Sequence, residues 1–248
     1  AYRCPAREHR VTMVSKFVLI AAMLVLPLSA AAECVVLLHG LGRVSNSMGE
    51  LETKLGPAGY SVANIRYPSR SHPIDVLAKD AVGRGLAQCR SLGADRIHFI
   101  THSLGGILLR YYVREHPIEE LGRVVMLGPP NQGSQIVDGL LDVPGFRFIG
   151  GPAGVALGTG ESSIIESLGP VDFDLGVIAG NTNINPLEFL FIDGPSDSIV
   201  SVESTKVQGM KAHLVLPATH TFMMRNNAVI EQAIHYLKTG AFIAEHSE

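Results

Sequence analysis

The sequence predicts an α/β architecture, a doubly wound and mostly parallel sheet with helices on its faces, and three observations carry that prediction. Short, continuous apolar runs recur at 35–38, 97–100, 123–127 and 176–179. Such runs mark strands covered on both faces. Segments with helical spacing at 48–55, 74–91, 104–116 and 229–237 alternate with them, as crossover connections between parallel strands require. At Ser103 a run of strand character meets one of helical character with almost no loop between. Apolar residues at 46% against 17% charged place the chain among ordinary globular proteins.

In chain order, Lys16 and the apolar run 17–28 are followed by Ala30-Ala31-Ala32. Small residues at these positions, after an apolar stretch too short to span a bilayer comfortably, read as a cleavable signal peptide ending before Glu33, with an uncleaved anchor as the alternative. Met13 stands just before the basic residue, so residues 1–12 read as upstream sequence. The organisation expected is signal and upstream residues over 1–32 and one α/β domain over 33–248. Residues 1–32 hold four of the 20 basic and one of the 23 acidic residues, so the remainder carries a net charge near −6 rather than −3. A mildly acidic domain offers no electrostatic footprint for nucleic acid. Export leaves Cys34 and Cys89 as an even pair in an oxidising compartment. They form either a disulfide or two separate buried thiols.

The strand at 35–38 runs straight into His39-Gly40-Leu41-Gly42-Arg43. A glycine-bounded turn at the carboxyl end of a parallel strand can aim backbone N–H groups inward, as an oxyanion hole needs. The same residues, continued to Val44 and Ser45, approximate the dinucleotide pattern G-x-G-x-x-G, with Arg66 placed to read a 2′-phosphate. Ser45 in place of the third glycine weakens that match, and an NADP-dependent reading leaves Ser103 without a role. A helix at 48–55, a strand at 60–65, a polar loop at 68–73 and a helix at 74–91 ending at Gly93 follow.

Thr101-His102-Ser103-Leu104-Gly105 then approximates the nucleophile elbow G-x-S-x-G, with Thr101 for the first glycine. Such a turn lifts the serine hydroxyl above the sheet, toward the positive end of the helix. Gly105 and Gly106 let the helix start approach the strand closely. Pro117 stops that helix. After the strand at 123–127, the loop 128–134 places Asn131 and Gln132 either to line a site or, by preference, to satisfy loop backbone. Residues 135–176 break the alternation. Rich in Gly and Pro with scattered apolar residues, they predict short helices and either a small cap insertion over an apolar substrate or a surface excursion.

A serine hydroxyl is a poor nucleophile until an imidazole takes its proton, and that imidazole needs a buried carboxylate to fix its tautomer. Asp197 follows the strand at 176–179 and neighbours Ile199 and Val200, which can bury it; Asp193 is its rival, whereas Asp172 and Asp174 precede the strand. His220 alone lies in a loop beyond a strand's carboxyl end. His213 starts the strand at 213–216, and His235 lies within the last helix. The order is Ser103, Asp197, His220, with the N–H groups of Leu41 and Leu104 as the expected oxyanion donors. His39 and His102 flank the site and are expected to shape it. No H-E-x-x-H occurs, and His98 with His102 straddles a strand and a turn, so neither a metal nor a cofactor is predicted.

HGLGR, THSLGG, GPPNQGS, SDSIVS and ATHTF, in this order, resemble the lipase and esterase branch of the α/β-hydrolase superfamily, in particular small exported bacterial hydrolases. The resemblance covers nearly the whole of 33–248. It implies the α/β-hydrolase fold, hydrolysis of carboxylic esters through a Ser103-His220-Asp197 triad, ester or lipid substrates, and transient contact with a lipid interface. Residues 34–38 correspond to the family's third strand, so its leading antiparallel strands are expected to be missing. An amidase or acyltransferase would use the same machinery, and a binding module without turnover is the reading from another class.

Overall fold

The computed structural model describes residue 2 and residues 32–141, 143–160, 164–184 and 191–244. The expected signal segment lies almost wholly outside the described residues. Strands β1 (Glu33–Leu38), β2 (Ser61–Ile65), β3 (Arg96–His102), β4 (Leu121–Leu127), β5 (Leu175–Gly180) and β6 (Ala212–Leu216) form one sheet in the order β2-β1-β3-β4-β5-β6. Every pairing is parallel. No antiparallel strand precedes β1 among the described residues.

Between strands run α1 (Gly49–Leu55), α2 (Ile74–Ser91), α3 (Leu104–Glu115), the short α4 (Gln135–Leu140), α5 (Phe146–Val155) and α6 (Ile164–Ser167), and finally α7 (Asn227–Thr239). Successive side chains of a strand point to opposite faces. Val36 and Leu38 therefore pack with Leu77, Val82, Ile107 and Leu108 of α2 and α3, while Val35 and Leu37 pack with Leu51 and Leu55 of α1 and Val229 and Ala233 of α7. Two apolar layers thus cover a sheet with no solvated face, which is why its strands read as unbroken apolar runs. The last helix is capped as its sequence suggests: Asn226 Oδ1 accepts from the N–H groups of Ala228 and Val229, and Gly240 closes the helix at φ 78°.

The chain builds outward from β1 to β2, then crosses back to lay β3 on the other side of β1. The sheet therefore has its switch point between the carboxyl ends of β1 and β3, where Leu38 is level with Thr101. Ligands of open parallel sheets bind in the crevice outside such a point.

At the opposite end of the sheet, Cys34 of β1 and Cys89 of α2 form a disulfide, which settles the choice between bridge and thiols. Closing a loop of 55 residues restricts the unfolded chain by about 4 kcal/mol on the chain-entropy estimate. Replacing both cysteines by alanine should lower the thermal midpoint by roughly 10 °C for a domain of this size. Scanning calorimetry of the double variant measures this, and an unchanged midpoint would show that the bridge contributes nothing to stability.

Candidate active site

Ser103 is the single residue between β3 and α3, with φ 52° and ψ −121°. Among the described non-glycine residues only Ser103 and Ser198 have positive φ, a strained conformation that surrounding structure must enforce. The enforcement is visible. Ser103 N–H donates to Leu127 O at 2.9 Å, tying the elbow to the end of β4. A Cβ on Gly105 would stand 2.6 Å from Leu38 O, so the helix start lies directly against β1. Thr101, which departs from the elbow pattern, is fully buried at the strand end.

Asp197 and His220 reach the same rim from the loops after β5 and β6. Asp197 is fully buried, and its Oδ2 accepts from His220 Nδ1 at 2.7 Å. Its Oδ1 accepts from the N–H groups of Ile199 and Val200 at 3.1 and 2.8 Å. The two backbones are joined as well, His220 N–H donating to Asp197 O at 2.8 Å. With Nδ1 committed to the carboxylate, Nε2 is the ring nitrogen left to exchange a proton. The rivals lie elsewhere: Asp193 is exposed, Asp174 accepts from Tyr236 and pairs with Lys211, and His213 bonds Thr205 Oγ1.

Two features bring chain neighbours of Ser103 and of Leu127 against this pair. His102 Nε2–H donates to His220 O at 2.9 Å, with the two rings 4.8 Å apart. Gly128, at φ 53°, leaves room where a Cβ would meet Asp197 Oδ2 at 2.8 Å and His220 Nδ1 at 3.2 Å. Gly128 thus adjoins both the carbonyl that holds Ser103 and the Asp197-His220 pair. Its positive φ and its crowding both demand glycine, a requirement that no local pattern separates from ordinary turn chemistry.

The turn after β1 is also held in place. His39 Nδ1–H donates to Gly40 O at 2.9 Å, its ring stacks on Tyr67 at 4.0 Å, and the Tyr67 hydroxyl donates to His39 O. Arg43 N–H turns back to Gly40 O, and Gly42 N–H donates to Ser69 Oγ at 2.9 Å. The N–H of Leu41 has no acceptor among the described residues. Its peptide carbonyl, Gly40 O, is drawn the opposite way. Leu104 is the first residue of α3, where an N–H lacks an intrahelical acceptor. Both expected oxyanion donors are therefore uncommitted. After this turn the chain forms a 3₁₀ turn at Ser45–Met48 that leads into α1 at Gly49, and Gly42 N–H donates to Ser69 Oγ, so a short 3₁₀ turn and a committed glycine amide stand where the dinucleotide pattern places the start of an α-helix.

Asn131 and Gln132 do what loop residues most often do. Asn131 Nδ2 donates to Thr205 O, and Gln132 Nε2 donates to the carbonyls of Glu203 and Lys206. Buried Arg110 of α3 donates to Asn131 O and Oδ1 and to Gly169 O, and burial lowers its pKa to about 10. Ser134 Oγ donates to Ile199 O, so the loop 128–134 braces the loop that carries Asp197.

Burial lowers the pKa of His39 and lowers that of His102 well below the ordinary imidazole value, with the charges of His220 and Arg43 adding to the effect on His102. Both are neutral in the folded state near neutral pH. The unfolded chain takes up protons on them as pH falls below about 6.5, before the folded chain does, so their contribution is complete above that pH and erodes below it. Stability should fall by up to about 1.4 kcal/mol per pH unit for each histidine. Urea unfolding between pH 7 and pH 5 tests this, and a midpoint constant over that range contradicts it.

Comparison with known proteins bears on the fold. No family model matches the chain. Over 112 residues it is 31% identical to a 2-hydroxy-6-oxo-6-phenylhexa-2,4-dienoate hydrolase from Comamonas testosteroni, covering 41% of this chain and 38% of that protein. A protein of the same name from Burkholderia cepacia is 29% identical over 114 residues, with 42% and 39% covered. The chain thus spans about two fifths of the length of these relatives. Among solved structures, the mature lipase BlEst2 of Bacillus licheniformis superposes with a TM-score of 0.63 at 17% identity, covering 86% of this chain and 93% of that one. The phospholipase PlaB of Legionella pneumophila gives 0.63 at 22% identity, covering 86% and 60%. The chain has the α/β-hydrolase fold.

Proposed function

We propose that this protein is a serine hydrolase of carboxylic esters. The observation that carries the proposal is the buried Asp197-His220 pair, 2.7 Å between Oδ2 and Nδ1, standing at the sheet rim where Ser103 is presented on a strained elbow. Ser103 Oγ attacks the ester carbonyl carbon while His220 takes its proton, and Asp197 stabilises the imidazolium that results. The N–H groups of Leu41 and Leu104 hold the developing oxyanion. The tetrahedral adduct collapses to an acyl-enzyme as the imidazolium protonates the leaving alcohol. Water, deprotonated by His220, then cleaves the acyl bond and restores Ser103.

The insertion after β4 serves as the cap of this site. α5 is kinked at Gly151, where a Cβ would collide with Arg70 O, and at Gly154 it packs against the Leu41 side chain. Phe148 and Ile149 are 92% and 61% exposed on it, which suits contact with a lipid interface. The apolar segment before Glu33 is the signal for export, and the Cys34-Cys89 disulfide suits an oxidising destination.

Labelling with a fluorophosphonate tests the central proposal. An adduct on Ser103 in folded protein is expected, and its absence would point to a binding module without turnover. A p-nitrophenyl ester series from acetate to palmitate sets the acyl preference, and a sharp fall beyond short chains would make the protein a small esterase rather than a lipase.

A further inference from the structure

Beside the turn after β1 lies a cavity of about 450 Å³, lined by Gly42, Arg43, Arg66, Ser69 and Arg70 among others. Arg43 comes from the turn after β1, and Arg66 and Arg70 from the loop after β2; the parallel pairing of those strands brings them to one rim. No carboxylate lines the cavity among the described residues. Elsewhere Arg84, Arg90, Arg114 and Arg123 pair with acidic side chains, whereas Arg43, Arg66 and Arg70 have no such partner among the described residues. Three unneutralised guanidinium groups around one concavity, in a chain of net charge −3, form a local positive field that selects anions. Ser69 is 4% exposed and accepts the Gly42 N–H, leaving its own hydroxyl proton to donate.

We propose, on the basis of the hydrolase reading above, that this cradle holds a phosphate group of the substrate, so that the preferred esters carry a phosphate a few bonds from the scissile carbonyl. The spacing fits. A Cβ on Gly40 would stand 3.1 Å from Ser103 Cβ, and Gly42, two residues on, lies at most about 7 Å farther along the chain. That is the reach of a glycerol unit bearing an acyl group and a phosphate. The donor set fits as well, since one forked guanidinium satisfies a carboxylate, while three suit the several oxygens and double charge of a phosphate monoester. Arg70 lies over Gly42, its Cδ 3.8 Å from where a Cβ would stand, so the cradle adjoins the turn that supplies Leu41.

The test is calorimetric binding to the Ser103→Ala protein, which requires no turnover, using monomeric 1,2-dibutyrylglycerol 3-phosphate and its neutral counterpart 1,2-dibutyrylglycerol. The phosphate ester should bind about tenfold more tightly at low salt, a difference typical of one net charge-assisted contact. The preference should drop to about threefold or less in 0.5 M salt, and equally when Arg66→Gln and Arg70→Gln are added. Both side chains are exposed, so the substitutions leave folding intact, and an unchanged unfolding midpoint verifies this. Equal affinity for the two esters, or a preference that survives the arginine substitutions, overturns the proposal. So does arginine-dependent binding confined to inorganic phosphate or to phosphatidic acid vesicles, which would make the cradle a site for a free ion or a membrane surface. Fluorophosphonate labelling of Ser103 in the unaltered protein decides the hydrolase reading separately.

Discussion

Ser103→Ala is expected to lower kcat for ester hydrolysis on the order of 10⁵-fold to 10⁶-fold, the loss found when the nucleophile of a serine triad is removed. What survives comes from binding and from the oxyanion donors, which still favour attack by water. The thermal midpoint should stay close to its original value. The Ser103 hydroxyl makes no hydrogen bond that supports the fold among the described residues, whereas the elbow is held by backbone, through Leu127 O and the close packing of Gly105 against Leu38. Steady-state kinetics on a soluble ester, with a thermal melt of the same preparation, measures both. Activity within tenfold of the original would remove Ser103 from the chemistry.

Asp197→Asn is expected to lower kcat on the order of 10⁴-fold with little change in KM, and the reason is a tautomer. Asp197 Oδ1 already accepts from the N–H groups of Ile199 and Val200. An asparagine must keep its carbonyl oxygen there, because turning its NH₂ toward two backbone donors would leave all three buried and unpaired. The NH₂ then faces His220 Nδ1 and forces the ring to carry its proton on Nε2, where it cannot accept one from serine. Asp197→Ala should lose activity to a similar degree and also about 1–3 kcal/mol of stability, because the two amides are left without an acceptor. The contrast between the variants in urea unfolding separates the orienting role of the carboxylate from its structural one. If Asp197→Asn retained most of the activity, the acid would have to be sought elsewhere.

The sheet was legible because both its faces are covered. Apolar runs such as 35–38 and 97–100 needed no alternation to be recognised, and the structure adds Glu33 and Cys34 ahead of the first and Arg96, Thr101 and His102 around the second, where flanking polar residues continue the hydrogen-bonding ladder. The elbow was legible because its strain is local: a serine, two glycines and an abrupt change of periodicity fall within six residues. The burial of Asp197, in contrast to exposed Asp193, was legible in the apolar pair that follows it. Other features depend on chain crossings that no local pattern encodes. Tyr67 meets His39 across 28 residues, and Arg66 and Arg70 line one cavity with Arg43 only because β1 and β2 run parallel in register. Gly128 looked like one glycine of a turn-rich loop. Its tight fit against Asp197 and His220 exists only once three loops have assembled.

Ser103 belongs to the middle of the chain, while Asp197 and His220, bonded to each other at side chain and backbone, follow the last two strands. During synthesis, a nascent chain whose sixth strand has yet to dock would expose an elbow serine with an ordinary alcohol's reactivity and no general base beside it. Competence would switch on in one step, when the far edge of the sheet closes. On the proposed hydrolase reading, this layout would keep the chain inactive toward esters until assembly is finished.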